Sequence, residues 1–159
     1  MGIELDIGTK APAFTLTNDS GKKVSLRDFK GRNLVIYFYP RADTPGCTRE
    51  SIDFSRLRSQ FDKIDTDIIG VSADPVKAQD AFKKKHNLNL GLLSDESHKI
   101  LESYGVWDKK IMYGKEFMGI VRTTFLIGAD GRIAKIWRKV KVDGHADEVL
   151  EAARTLPTS

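Results

Sequence analysis

The sequence predicts an α/β fold: a central mixed β-sheet flanked by helices, with an N-terminal β-hairpin. Three observations carry this reading. Strand-like and helix-like apolar periods alternate along the chain. The run Leu34 to Tyr39 is continuous, rich in β-formers and strand-sized, as in a strand buried on both faces. The last third closes with a strand pair and an amphipathic helix. At 159 residues, 40% apolar and 30% charged, the chain suits one self-sufficient core, and 1–159 reads as a single domain.

The elements follow in order. Phe14 to Thr17 and Lys23 to Ser25 form a hairpin around Asn18-Asp19-Ser20-Gly21, a strong turn cluster that outweighs its match to a glycosylation acceptor. After Leu34 to Tyr39 comes a loop, Pro40 to Gly46. A helix then runs from Cys47 to about Phe61, with Cys47, Phe54, Leu57 and Phe61 on one stripe. Asp67 to Ser72 is a second core strand. Asp74 caps the next helix with Pro75 at its first position; it reaches about His86, with Ala78, Ala81 and Phe82 inward. Leu90 to Leu93 is a short strand, and Ser94 or Asp95 caps a helix carrying Ile100, Leu101 and Tyr104. Gly105 to Gly119 reads as irregular. Thr123 to Ile127 and Ile133 to Trp137 pair across Ala129-Asp130-Gly131, and a last helix, about His145 to Thr155, buries Val149, Leu150 and Ala153.

Composition excludes several functions. No apolar run approaches the ~18 residues of a membrane helix. The net charge of +4 is too small to mark a nucleic-acid partner by itself. The runs Lys83-Lys84-Lys85-His86 and Arg138-Lys139-Val140-Lys141 read as solvated faces. His86, His98 and His145 fall on different elements without metal-ligand spacing and read as surface or capping residues. No phosphate-cradling glycine loop is present, so neither metal nor cofactor is expected. Met1 to Lys10 has no apolar core of a signal peptide, and Asp6 stands where a myristoylation motif wants Ser or Thr. A cytoplasmic protein is expected. Trp107, Met112, Tyr113, Phe117 and Met118 either pack their loop onto the sheet or line a pocket mouth or dimer contact.

The chemistry concentrates at Cys47, the single cysteine, which excludes an internal disulfide or a cysteine-built zinc site. A buried strand ends, a Pro/Gly loop turns, and the cysteine opens a helix. Ligands of open α/β sheets sit beyond the carboxyl ends of the strands. A helix N-terminus offers unpaired N–H groups and a positive dipole end, which favour thiolate over thiol. The alternative is an inert core cysteine, which the apolar stripe also accommodates.

Pro40, Thr44 and Cys47 match the P-x-x-x-T-x-x-C signature of peroxiredoxins, the thiol peroxidases on a thioredoxin-like fold. Tyr37-Phe38-Tyr39-Pro40 and Thr44-Pro45-Gly46-Cys47-Thr48 resemble the Q subfamily, also called bacterioferritin comigratory protein. The likeness continues through Leu93-Ser94-Asp95, Gly105-Val106-Trp107, Gly114-Lys115, Arg122 and Thr124-Phe125-Leu126-Ile127. It implies that Cys47 is the peroxidatic thiolate, that Thr44 hydrogen-bonds thiolate or peroxide, that Pro40 shields the pocket and that Arg122 approaches the sulfur. Gly46 belongs to the same loop. Glu50, one turn beyond Cys47, either orients an arginine or complements the helix dipole.

Many members of the subfamily carry a resolving cysteine five residues after the peroxidatic one. Ile52 stands there, and Val76 to Lys85 holds none. The resemblance therefore implies a one-cysteine peroxidase for hydrogen peroxide and organic hydroperoxides. It would be a monomer or weak homodimer, reduced by an external thiol: thioredoxin, glutaredoxin or glutathione. A peroxide sensor or redox relay using the same cysteine is the alternative, and a binding module with an inert Cys47 is the third.

Overall fold

The structure, a computed structural model, describes residues 5–156. Residues 1–4, the start of the Met1 to Lys10 segment read above for targeting signals, lie outside them.

The turn cluster closes a hairpin of β1 (Thr15–Asn18) and β2 (Lys23–Ser25). Asn18 Oδ1 accepts from the amides of Ser20 and Lys22 at 3.0 and 2.9 Å, an Asx-type closure. A single 3-10 turn, Leu26–Phe29, leads into β3 (Asn33–Phe38), which is buried at every position. There follow α1 (Pro45–Asp62), β4 (Thr66–Ser72), α2 (Val76–His86), β5 (Gly91–Ser94) and α3 (Lys99–Ser103). The chain then forms β6 (Trp107–Met112), β7 (Lys115–Ile120), β8 (Thr123–Ile127), β9 (Ile133–Arg138) and α4 (His145–Arg154).

Seven strands make one mixed sheet in the order β2-β1-β5-β4-β3-β8-β9. The β3–β4 and β4–β5 pairs are parallel; β3–β8, β8–β9, β1–β5 and β1–β2 are antiparallel. Side chains alternate across a strand, so β3 feeds two cores. Leu34, Ile36 and Phe38 pack on one face with Leu101, Tyr104 and Phe125. Val35, Tyr37 and Tyr39 pack on the other with Phe54 and Phe61 of α1, Phe82 of α2 and Val149 and Leu150 of α4. The helices thus cover both faces of the sheet. Burying a ring such as Phe54 contributes about 2–3 kcal/mol, which docks α1, and Cys47 with it, onto the sheet.

Several local expectations are corrected. α1 begins at Pro45, not Cys47, because proline needs no amide partner and its fixed φ suits a first helical turn. Thr44 is the N-cap and Cys47 the third helical residue. Pro75, not Asp74, is the N-cap of α2, because the Asp74 carboxylate is committed elsewhere: it accepts from Ala42 N–H and Ser72 Oγ, both at 2.7 Å. Ala81 is exposed, and Gln79 takes the inward place. Its amide is satisfied there, donating to Ser72 Oγ and Leu93 O at 2.9 Å and accepting from Tyr39 Oη. Asp95 caps α3 from outside it, accepting from the amides of Ile100 and Leu101 at 2.9 Å. Residues 105–119 are not irregular: β6 and β7 form a separate ribbon. Its turn, Tyr113-Gly114, has positive φ at both residues (53° and 75°), the requirement of a type I′ hairpin. Of the aromatic and methionine residues in this segment, Met112, Tyr113, Phe117 and Met118 are exposed.

Candidate active site

The loop between β3 and α1 sets the site. Tyr39, the residue after β3, is fully buried, and its amide donates to Val71 O at 3.1 Å, so the chain leaves the sheet at Pro40 from a fixed point. Asp43 then adopts φ +61°, turning the chain into the Thr44 cap. The first intrahelical bond of α1, Thr48 N–H to Thr44 O, is 2.8 Å. The amides of Gly46 and Cys47 precede that bond and have no intrahelical acceptor, so they face the space beyond the helix end as donors.

Cys47 is 1% exposed. Arg122 reaches it from the residue before β8. The antiparallel register pairs Thr123 with Phe38, which sets Arg122 level with the exit of β3. Its Nη2 donates to Cys47 Sγ at 3.3 Å and its Nη1 to Glu50 Oε1 at 2.7 Å. Cys47 and Glu50 are three residues apart on α1 and share a face, so one planar guanidinium bridges both. Gly46 makes the approach possible: a Cβ there would lie 3.1 Å from Arg122 Nη2.

Glu50 is also 1% exposed, and its Oε2 has no hydrogen-bond partner. Burial pushes its carboxyl up to about 7, against the opposing pull of Arg122. Burial by itself lowers Arg122, but the charges of Glu50 and Cys47 outweigh it and leave the guanidinium raised. The pair is therefore an arginine that stays charged and a carboxyl that titrates near neutrality.

The other residues of the motif occupy the same loop. The Thr44 hydroxyl donates to Arg41 O at 2.8 Å and makes no bond to Cys47. Pro40 is half-buried at the loop's start. Ile52 lies on the outer side of α1, 41% exposed.

The histidines divide. His98 stacks on Trp107 with ring centroids 4.0 Å apart. His86 pairs with Asp43. His145 is not a surface residue: it is buried between Phe54 and Trp137, with Nε2 at 2.8 Å from Thr124 Oγ1. Burial, aided by the nearby Arg122 charge, lowers it to about 4. Sequence periodicity missed it because its partners come from α1, β8 and β9; its position right after the Gly144 turn was the local signal. Among the described residues no group of His, Cys, Asp and Glu is arranged to hold a metal ion. No helix among them is long and apolar enough to cross a membrane.

The AhpC/TSA family profile matches residues 7–136. Putative peroxiredoxin bcp of Coxiella burnetii is 48% identical over 148 residues, covering 93% of this chain and 98% of the relative. Peroxiredoxin Bcp of Bacillus subtilis is 47% identical over 154 residues, covering 97% and 98%. Among solved structures, the bacterioferritin comigratory protein of Xanthomonas campestris, studied for its alkyl peroxide reduction activity, superposes with a TM-score of 0.88 at 42% identity over 94% of this chain and 98% of that one. AhpC of Mycobacterium tuberculosis, 24% identical with a TM-score of 0.78, shares the fold. The chain belongs to the AhpC/TSA family, within its peroxiredoxin Bcp group of thiol-dependent peroxidases.

Proposed function

We propose that this chain reduces hydrogen peroxide and organic hydroperoxides by a one-cysteine mechanism at Cys47. The observation that carries the reading is the Arg122 guanidinium, which touches Cys47 Sγ while tethered to buried Glu50. The thiolate attacks one peroxide oxygen. The S–O bond forms, the O–O bond breaks, and its electron pair leaves on the second oxygen. That oxygen takes a proton from solvent and departs as water or an alcohol, leaving Cys47 as a sulfenic acid. Charge grows on the leaving oxygen, so fixed donors there lower the barrier. Arg122 and the free amides of Gly46 and Cys47 are those donors. Thr44 has its proton committed to Arg41 O, so its oxygen accepts the peroxide O–H and orients it. Pro40 closes the loop side of the pocket.

Cys47 is the only cysteine in the sequence, so the sulfenic acid is resolved from outside. An external thiol condenses with it, releasing water and forming a mixed disulfide, and a second thiol regenerates Cys47. Thioredoxin, glutaredoxin and glutathione are the candidate reductants, in a cytoplasmic setting that keeps them reduced. We take the chain to act as a monomer or weak homodimer.

The test is intact mass with sulfenic-acid trapping. One equivalent of hydrogen peroxide gives a trapped adduct at Cys47 and none in Cys47→Ser, and excess dithiothreitol restores the thiol and sustains turnover. A Cys47 that stays unreacted and untrapped in the presence of the peroxide overturns the proposal. A trapped Cys47 that dithiothreitol restores without sustained turnover points to the sensor or relay.

A further inference from the structure

Two consecutive residues of the Cys47 loop are tied to the β4–α2 unit. Ala42 N–H donates to Asp74, which follows β4, at 2.7 Å. The Asp43 carboxylate divides between the last two residues of α2: Oδ2 accepts from Lys85 Nζ and Oδ1 from His86 Nε2, each at 2.8 Å. A carboxylate only accepts, so Nε2 carries the ring proton. The His86 ring stands edge-on to Phe82, a buried core residue, at 5.5 Å between centroids. Together His86 and Lys85 hold the Asp43 carboxyl below its ordinary range. The bond is made across 42 positions of sequence, by a residue whose positive φ sets the direction of the chain into Thr44 and α1.

This tie matters because Cys47 is buried. Hydrogen peroxide has only two heavy atoms and asks less opening of the loop around the 1%-exposed Cys47 than a thiol does. A thiol reductant must bring its sulfur onto Cys47 Sγ in line, which the closed loop obstructs. The two half-reactions therefore favour opposite loop states, and whatever sets the closed population divides the rate between them.

We propose that Asp43, gripped by Lys85 and His86, is a positioning residue that latches the Cys47 loop closed, favouring reaction with peroxide and restraining access of bulkier thiol-directed reagents. The proposal rests on the reading of Cys47 as the peroxide-reactive thiolate. It places the latch on α2, outside the Pro40, Thr44, Cys47 and Arg122 set.

Adjacent lysines supply the test. Lys85 reaches across to the loop, whereas Lys84 pairs with Asp80 within its own helix at 2.8 Å. Both are exposed and carry the same charge, so Lys84→Met controls for the loss of one cation near the site. Asp43→Asn removes the carboxylate charge and retains a residue that tolerates positive φ. Two rates are measured on reduced whole protein: oxidation of Cys47 by hydrogen peroxide and alkylation by iodoacetamide. A change in thiolate content moves both in one direction; loop opening moves them apart. The ratio of alkylation to oxidation is expected to rise roughly five-fold in Asp43→Asn and about two-fold in Lys85→Met, where His86 still holds, and to stay at the wild-type value in Lys84→Met. An unchanged ratio in Asp43→Asn, or an equal rise in Lys84→Met, overturns the latch. Wild-type oxidation no faster than that of a free thiol instead overturns the peroxidase reading, and is read independently of the variants.

Discussion

Replacing Glu50 by Gln tests the electrostatics of the site quantitatively. The carboxyl is 1% exposed and its folded value, about 7, lies above the unfolded value of 4.5. Below pH 4.5 both states are protonated and the group contributes no pH dependence. Between 4.5 and 7 the folded protein holds the proton that the unfolded chain has released, so stability falls as pH rises. Above pH 7 the loss is complete. At 1.36 kcal/mol per unit, a gap of about 2.5 units costs about 3 kcal/mol. Gln keeps the oxygen that accepts from Arg122 Nη1 but has nothing to ionise. Relative to wild type, Glu50→Gln should therefore gain about 3 kcal/mol of stability between pH 4.5 and pH 8. Urea denaturation of both proteins at those two pH values measures the difference directly, because every other titration cancels. Peroxide reactivity of Glu50→Gln should remain within about three-fold of wild type, since the tether survives, whereas Glu50→Ala should lose about ten-fold. A stability difference that is flat with pH would refute the assignment of Glu50 as a desolvated carboxyl.

Gly46→Ala sets a Cβ 3.1 Å from Arg122 Nη2, so the guanidinium must shift by a few tenths of an ångström from the sulfur; the second-order peroxide rate should drop about four-fold with thermal stability little changed. His145 is held at about 4 against an ordinary 6.5, so the unfolded chain takes up its proton first and stability is lost as pH falls from 6.5 to 4. The loss is about 3 kcal/mol, opposite in sign to the Glu50 effect, and should appear in acid titration of Glu50→Gln and vanish when His145→Gln is added. One equivalent of peroxide should leave far-UV helical circular dichroism unchanged, because Ile52 cannot draw Cys47 into a disulfide that would unwind α1; a large loss of helical signal would contradict this.

What the sequence discloses, and what it hides, follows from the range of the forces involved. The central strand, α1 and the final hairpin are legible because their apolar periods record burial directly. The β6–β7 ribbon is hidden because it stands apart from the main sheet. Met112, Phe117 and Met118 are exposed, so no polar–apolar alternation marks its faces, and Tyr113-Gly114 is an uncommon turn pair. Asp74-Pro75 reads as a cap and first turn, yet the Asp74 carboxylate serves Ala42 and Ser72, a tertiary demand that local rules cannot register. Gln79 displaces Ala81 from the core for the same reason: Tyr39, Ser72 and Leu93 supply its partners. At the site, Cys47 is marked by its loop, whereas Arg122, 75 positions away, is marked only by resemblance. The Asp43 grip on Lys85 and His86 has no signature at all, since it joins residues whose charges read as ordinary surface.

The most direct test of the central claim is the second-order rate constant for oxidation of Cys47 by hydrogen peroxide at neutral pH, in wild type and Arg122→Ala. Loss of one fixed donor to the developing charge costs about 10²–10³ in rate. The expected result is a wild-type rate orders of magnitude above that of a free thiol and a fall of that size in the variant. Equal rates in the two proteins, or a wild-type rate no faster than a small-molecule thiol, would contradict it.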